Sequence, residues 1–228
     1  MDDEPDLLEI FGTWFELAGC RKMYTAKDGE GALAIIKDHP IDLLVTDVRM
    51  PVMDGIALVR NLAGLGRSIP SIVFVSGFGD IDQREMYGLG VEAFLAKPLP
   101  RGQLIEVAER ALVERSALWV TPMDSAPKQS IDIRVEEIGK TTGQDSIRLG
   151  RGGFSVRYSG PSALGKVAFK CHFSSEQREM TGEGYVRWRS QNHDKVGIEF
   201  AFLDANCRSW VLEEITVTNP RNFIPSFR

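Results

Sequence analysis

"IDLLVTDVRMPVMDG", residues 41–55, is the stretch whose reading decides the fold. Ile41 to Val45 is apolar apart from Asp42, the pattern of a strand covered on both faces by helices. The strand runs into Asp47, and the loop beyond it is punctuated by Pro51 and Gly55. A charge belongs there if the strand is part of an open parallel sheet, because the backbone emerges into loops at the carboxyl ends of such strands and function collects at them.

The flanking sequence supports that frame. Asp6 to Ala18 places Leu7, Leu8, Phe11, Phe15 and Leu17 at helical spacing, Lys22 to Ala26 reads as a short strand, and Gly29 to Lys37 reads as a second helix. Further on come a helix over 55–65, the strand "SIVFVS" at 71–76, a helix over 82–89, the strand "EAFLA" at 92–96 and a helix from Arg101 to about Arg115. Strands alternating with helices imply a parallel sheet with right-handed crossovers. Residues 1–115 are therefore expected to form one doubly wound α/β domain.

Residues 116–130, "SALWVTPMDSAPKQS", carry two prolines and several small polar residues and read as a linker. Beyond them the period changes from that of a helix to that of a strand. Ile131, Ile133 and Val135 alternate, as do Val167, Phe169, Cys171 and Phe173, then Val186 and Trp188, then Val196, Ile198, Phe200 and Phe202. Residues 131–220 are expected to form an antiparallel β-barrel, with one late helix over 205–217 plugging it through Trp210, Val211 and Ile215. A tail, 221–228, has apolar residues among breakers and could dock on either domain or on a partner.

Composition narrows the function. No run of about 18 apolar residues exists, and Asp2, Asp3 and Glu4 stand where a secretory signal would be basic, so the expectation is a cytoplasmic protein without a membrane span. Cys20, Cys171 and Cys207 are odd in number and far apart, which suits free thiols. Residues 1–127 carry 12 basic and 20 acidic side chains, whereas residues 128–228 carry 15 and 12. The mildly basic second half falls well short of a nucleic-acid footprint, and no recognition helix is apparent, so DNA is not an expected partner.

The tips of the parallel strands are Asp47, Ser76 and Lys97, and the acidic pair Asp2 and Asp3 precedes the first helix. Carboxylates crowded at one end of a sheet repel one another unless a divalent cation joins them, and an oxygen-only set suits Mg2+. One oxygen of Asp47 would remain a nucleophile toward phosphorus. Lys97 would neutralise the phosphoryl group, the Ser76 hydroxyl would bond to it, and Gly77 would leave room for it. The Lys97–Pro98 bond is a candidate cis peptide.

"DDEP" at 2–5, "VTDVRMPVMDG" at 45–55, "FVSGFG" at 74–79 and "FLAKP" at 94–98 resemble the receiver domain of two-component response regulators, with its flavodoxin-like fold. The resemblance implies that Asp47 is the phosphoacceptor. It also makes Asp3 and the backbone carbonyl of Arg49 metal ligands beside Asp47, with Asp2 assisting, and Ser76, Phe94 and Lys97 a switch set. A sensor histidine kinase or phosphotransfer protein would be the donor. Receivers of this family begin with an apolar strand just before the acidic pair. Here the sequence starts at Met1, so a native start further upstream is expected, and the central strand of the 2-1-3-4-5 order is absent.

In the second half, "LGRGGFSV" at 149–156, "GEGYVRWRS" and "KVGIEFAFL" resemble a PilZ domain, a barrel that commonly binds cyclic di-GMP. The R-x-x-x-R motif of that family has no match, and "RLGRGG" keeps only Gly153 of its second motif, with Arg148 in the acidic position and Gly150 in the serine position. Arg148 and Arg151 then have two readings: a phosphate site with backbone help from Gly150, Gly152 and Gly153, or a glycine-rich turn flanked by solvated arginines. Trp188 and Phe200 are expected in the core. The reading is a response regulator that switches a PilZ-like output through protein contact, homodimerisation included; the alternatives are a cyclic di-GMP effector modulated by the receiver and an adaptor with an inactive receiver.

Overall fold

Residues 1–64, 69–77, 82–114, 117–138 and 146–226 are described by a computed structural model of the chain. Two compact units divide it: Met1–Asp80 with Val91–Val113, and Ile81–Gly90 with Glu114–Arg228.

The first unit follows the expected alternation. Helix α1 (Pro5–Leu17) is followed by α2 (Gly29–Asp38), β1 (Leu43–Thr46), α3 (Gly55–Ala63), β2 (Ser71–Ser76), β3 (Ala93–Ala96) and α5 (Arg101–Leu112), with α4 (Gln83–Leu89) lying between β2 and β3 in sequence. The helix starts are written into the sequence. Asp28 caps α2 by accepting from the Gly31 amide at 2.8 Å, and Asp54 caps α3 by accepting from the Ala57 amide at 2.6 Å, each satisfying an amide that the first helical turn leaves without a partner.

The three strands pair in parallel in the order β1-β2-β3. Val73 and Val75 of β2 share an apolar cluster with Phe11 of α1, Leu95 of β3 and Leu104 of α5. Their neighbours Ile72 and Phe74 point to the opposite face of the pleat and are equally buried, which is why β2 reads as a continuous apolar run.

One expected strand is not formed. Lys22–Ala26 is irregular, and residues 1 and 2 lie between it and β1. Those two residues bridge the two segments: the Met1 amino group donates to Val45 O at 2.6 Å, the Asp47 amide to Met1 O at 3.0 Å, and the Asp2 amide to Ala26 O at 3.2 Å. The result is a three-stranded parallel sheet of flavodoxin-like type.

In the second unit the sheet is mixed and open, not an antiparallel barrel. Its order is β4 (Ser130–Val135), β8 (Gly165–Phe173), β9 (Arg178–Arg189), β10 (Lys195–Leu203), β7 (Gly153–Arg157), β6 (Ser146–Leu149), β5 (Glu137–Ile138), and the end strands β4 and β5 do not pair. β4 runs parallel to β8 and β5 parallel to β6, whereas the other neighbours are antiparallel. The sheet curls into a half-barrel around one core that includes Ile131, Ile133, Phe154, Phe169 and Ile198.

Helix α6 (Ala205–Thr218) contributes Cys207, Val211 and Ile215 to that core, one residue per turn. Trp210 packs edge-on against Phe173 at 5.7 Å. Trp119, within the segment expected to link the domains, is itself buried in the core and meets Phe200 edge-on at 4.9 Å. Trp188 is buried as expected. Strand alternation holds along β4 and β8 but fails at the end of β10: a register shift between Phe200 and Phe202 changes the parity, so Leu203 is buried instead of Phe202.

The cysteines give a check on these placements. Cys20 is exposed, while Cys171 and Cys207 are buried, and burial pushes both buried thiols upward in pKa. A thiol reagent at neutral pH is expected to modify one cysteine per native chain rapidly and all three after denaturation, since the thiolate is the reactive form. Rapid native modification of Cys171, read by peptide mass, would contradict the half-barrel core.

Candidate functional site

The carboxyl ends of β1, β2 and β3 converge in the first unit. Asp47 follows β1, Ser76 ends β2, and Lys97 follows β3, held in register by its amide donating to Ser76 O at 2.8 Å. Asp2 and Asp3 come from the segment that precedes α1. Asp2, Asp3 and Asp47 each offer a carboxylate oxygen within 4.8 Å of the others. Asp2 has no exposed surface and Asp47 is 7% exposed, so two of these negative charges sit out of water.

Two carboxylates in such a place need compensation. Lys97 Nζ supplies part of it, donating to Asp2 Oδ2 at 2.7 Å and to Asp47 Oδ2 at 2.6 Å, and lying 3.8 Å from Glu4 Oε1. Burial opposes the Lys97 charge, but its hydrogen bonds to Asp2 and Asp47 outweigh that and hold its pKa above the ordinary lysine value. The other Asp47 oxygen, Oδ1, accepts from the Arg49 amide at 2.9 Å, and Asp2 Oδ1 accepts from the Glu4 amide at 3.1 Å.

The oxygen-only set fits Mg2+, which prefers one or two carboxylates and otherwise keeps water. Asp3, exposed at the rim, and the buried Asp2 and Asp47 are the residues that would hold it. The contact seen from Arg49 is its amide on Asp47, so its backbone fixes the carboxylate's orientation.

Ser76 is 4% exposed, and the space around Gly77 is open: a side chain there would meet nothing within 4 Å. Phe94 is half-buried and pairs with Phe74 across β2 and β3. The Lys97–Pro98 peptide is cis. The last two residues of the 74–79 motif lie outside the described residues.

Two supporting residues carry signals weaker than those of the acidic cluster. Thr46 is fully buried and its hydroxyl donates to Asp47 O at 2.6 Å. Gly55, at the start of α3, lies so close that a Cβ would collide with that same Asp47 carbonyl oxygen. Its sequence signal is its place at the end of the 45–55 motif, directly after the cap Asp54. Gly55→Ala is expected to displace the β1–α3 loop, costing about 1–3 kcal/mol as overpacking and slowing any chemistry at Asp47. Urea unfolding and a phosphoryl-uptake rate measure the two effects, and wild-type values for both would show that the loop does not set the carboxylate.

The family comparison speaks to this site. The response regulator receiver domain model matches residues 1–109, a span that holds Asp2, Asp3, Asp47, Ser76 and Lys97. Residues 1–109 are a response regulator receiver domain. Among curated relatives, the receiver-bearing chain is 42% identical over 113 residues to the transcriptional regulatory protein FixJ of Rhizobium meliloti, covering 49% of this chain and 54% of that one. It is 30% identical over 190 residues to the C4-dicarboxylate transport transcriptional regulatory protein DctD of Pseudomonas aeruginosa, covering 78% of this chain and 40% of that one. The chain thus spans about half or less of the length of these relatives. A solved receiver domain, that of NtrX from Brucella abortus, is 32% identical and covers 49% of this chain and 93% of its own, with a TM-score of 0.45.

The second candidate set lies in the second unit and is engaged internally. Arg148 Nη1 donates to Ser226 O at 3.3 Å, and Arg151 Nη2 donates to Gly90 O at 2.7 Å. The amides of Arg151 and Gly152, the donors an anion nest would need, donate instead to Asn222 O at 2.8 Å and Phe223 O at 3.0 Å. Gly153 serves strand packing, since a Cβ there would collide with Ile198 O of β10. Neither sequence reading of the arginines anticipates this: they hold the chain's own C-terminal segment.

Proposed function

We propose that the chain is a phosphorylation-controlled switch in which Asp47 accepts a phosphoryl group from a sensor histidine kinase or a phosphotransfer protein. The observation that carries this is the cluster of Asp2, Asp3 and Asp47 with Lys97 reaching two of the three. A carboxylate oxygen of Asp47 attacks phosphorus, the bond to the donor's imidazole nitrogen breaks, and that nitrogen keeps the electron pair and takes up a proton. The product is an acyl phosphate on Asp47. Bound Mg2+ would supply charge neutralisation for the phosphoryl oxygens and the carboxylates.

The chain's own groups do the remaining work. The Arg49 amide orients Asp47, the Lys97 ammonium lies against Asp47 Oδ2 where it can meet the negative charge of the incoming phosphoryl oxygens, and the Ser76 hydroxyl at the next strand tip can donate to the arriving group. Asp47 is itself the substrate, so the protein is a signalling phosphoacceptor and not a turnover enzyme.

We assign the second unit as a PilZ-like output that acts by protein contact. The relatives FixJ and DctD are transcriptional regulators by name. In this chain, however, α6 spends Cys207, Val211 and Ile215 on the core and carries Glu213 and Glu214, which argues against its use as a recognition helix. Cyclic di-GMP at Arg148 and Arg151 would require residues 222–226 to leave, so ligand binding is not the favoured output. No helix among the described residues is long and apolar enough to cross a membrane.

Incubation with acetyl phosphate and Mg2+ tests the assignment. The expected result is one acid-stable, hydroxylamine-sensitive phosphoryl group per chain, dependent on Mg2+ and located at Asp47. Absence of the modification with a folded protein would overturn it.

A further inference from the structure

The outer face of the half-barrel carries a row of residues in register across four strands. Arg148 of β6 pairs with Ser155 of β7, Ser155 with Gly197 of β10, and Gly197 with Trp188 of β9. Their chain neighbours Phe154, Val156, Val196 and Ile198 fill the core, so alternation turns the row the other way. A Cβ at Gly197 would collide with the Trp188 indole, Nε1 included, so the glycine lets that ring lie along the row toward β7.

The C-terminal segment is seated at this row. Ile224, with no exposed surface, clusters with Trp188. Asn222 O and Phe223 O accept from the amides of Arg151 and Gly152 at 2.8 and 3.0 Å, and Ser226 O accepts from Arg148 Nη1 at 3.3 Å. A Cβ at Gly152 would collide with the Phe223 ring.

Seated this way, the segment leaves two donors of the row idle. Ser155 has no exposed surface and Trp188 is 4% exposed, yet among the described residues neither the Ser155 hydroxyl nor the Trp188 indole N–H has a hydrogen-bond partner. Such buried groups are destabilising until an acceptor reaches them. Ile224, the residue that the segment brings to Trp188, has none to offer. Glu199, on the same face opposite Gly153, is already taken by Arg187 Nε at 2.5 Å. The segment therefore matches the seat in main-chain bonds and shape but not in side-chain chemistry.

We propose that this seat is a docking groove for a segment of a partner protein, and that residues 221–226 occupy it as a stand-in. The proposal rests on the reading that the second unit acts by protein contact. The partner segment gives two successive main-chain carbonyls to the Arg151 and Gly152 amides, an aromatic ring over Gly152 and, directly after the ring, a carboxylate in place of Ile224. The Trp188 N–H can only donate and the Ser155 hydroxyl is free to donate, so one anionic side chain satisfies both. The Arg148 guanidinium at the end of the row favours the same charge.

Peptide binding to the full chain tests the groove. The protein carries Phe223→Ala, because a tethered segment competes at roughly millimolar effective concentration and must be weakened. The probes are labelled peptides of residues 219–226, one native and one with Ile224→Glu, read by fluorescence anisotropy. The Glu peptide is expected to bind at least about tenfold more tightly, as hydrogen bonds to a charged group imply. Adding Ser155→Ala and Trp188→Phe to the protein should bring the two peptides within about twofold of each other. If that variant does not fold, Ser155→Ala with Phe223→Ala, which removes only an idle hydroxyl, should still cut the preference about threefold.

A native peptide that binds as tightly as the Glu peptide, or more tightly, would mean that the seat is built for this chain's own segment, from the same copy or a second one, and overturns the partner. Failure of both peptides to bind a folded protein overturns the groove. Titration of the wild type with cyclic di-GMP decides the underlying reading separately: binding there removes output by protein contact and the partner with it, whereas failure of the peptides leaves that reading standing.

Discussion

Asp47→Asn is expected to abolish phosphoryl uptake, lowering the rate by at least about a thousandfold, equivalent to about 4 kcal/mol of barrier. The carboxamide oxygen is a poor nucleophile toward phosphorus, and the substitution removes one of the charges a cation would join. It also spoils the local hydrogen bonding. Asp47 Oδ1 accepts from the Arg49 amide and Oδ2 from Lys97, so both oxygens face donors. An asparagine has one acceptor and must turn its NH2 toward one of them. The fold should survive, because Asp2 still holds Lys97 at 2.7 Å. Labelling with acetyl phosphate and Mg2+, followed by peptide mapping, gives the rate and the position. Labelling of a folded Asn variant at the wild-type rate would remove Asp47 from the chemistry.

The legible part of this site was the part whose chemistry resides in side-chain types. Asp47, Ser76 and Lys97 stand out because a polar or charged residue ends each of three apolar strands, and the geometry brings Lys97 into direct contact with both Asp2 and Asp47. Helix starts were equally readable, since Asp28 and Asp54 are side-chain caps. What escaped depends on backbone. Lys22–Ala26 has the composition of a strand, but composition does not show pairing, and among the described residues the segment is irregular, with the Asp2 amide on Ala26 O. Period-2 alternation gave the buried faces of β4 and β8, yet it cannot foresee a bulge, and after Phe200 the parity in β10 reverses. Strand direction was also hidden, because β4 beside β8 buries the same alternate residues whether the pair is parallel or antiparallel. Arg148 and Arg151 end on carbonyls of residues 226 and 90, and a main-chain acceptor leaves no mark in the sequence that supplies it.

Lys97→Met is expected to be the most destabilising single change at the site in metal-free buffer, by about 3 kcal/mol, the lower part of the range for removing one partner of a buried ion pair. The lower part applies because the Lys97 side chain keeps 16% of its surface exposed. Methionine fills the volume of the lysine stem but leaves Asp2 and Asp47 facing one another without their shared ammonium. Two further consequences separate this electrostatic cause from a packing defect. Mg2+ should rescue stability more in the variant than in the wild type, because the cation replaces the missing charge between the carboxylates. The pH dependence should also change. The folded Lys97 pKa lies above the unfolded lysine value, so the folded state binds more protons there. The contribution of the lysine is thus fully present below the unfolded value of 10.5 and disappears as pH rises through the folded one, so the difference between wild type and variant should shrink only in strongly alkaline solution. Urea unfolding with a chelator across neutral to alkaline pH, repeated with Mg2+, reads all three effects. A variant as stable as the wild type at neutral pH without metal would mean that Asp2 and Asp47 do not need the ammonium, and the charge argument for the site would fail.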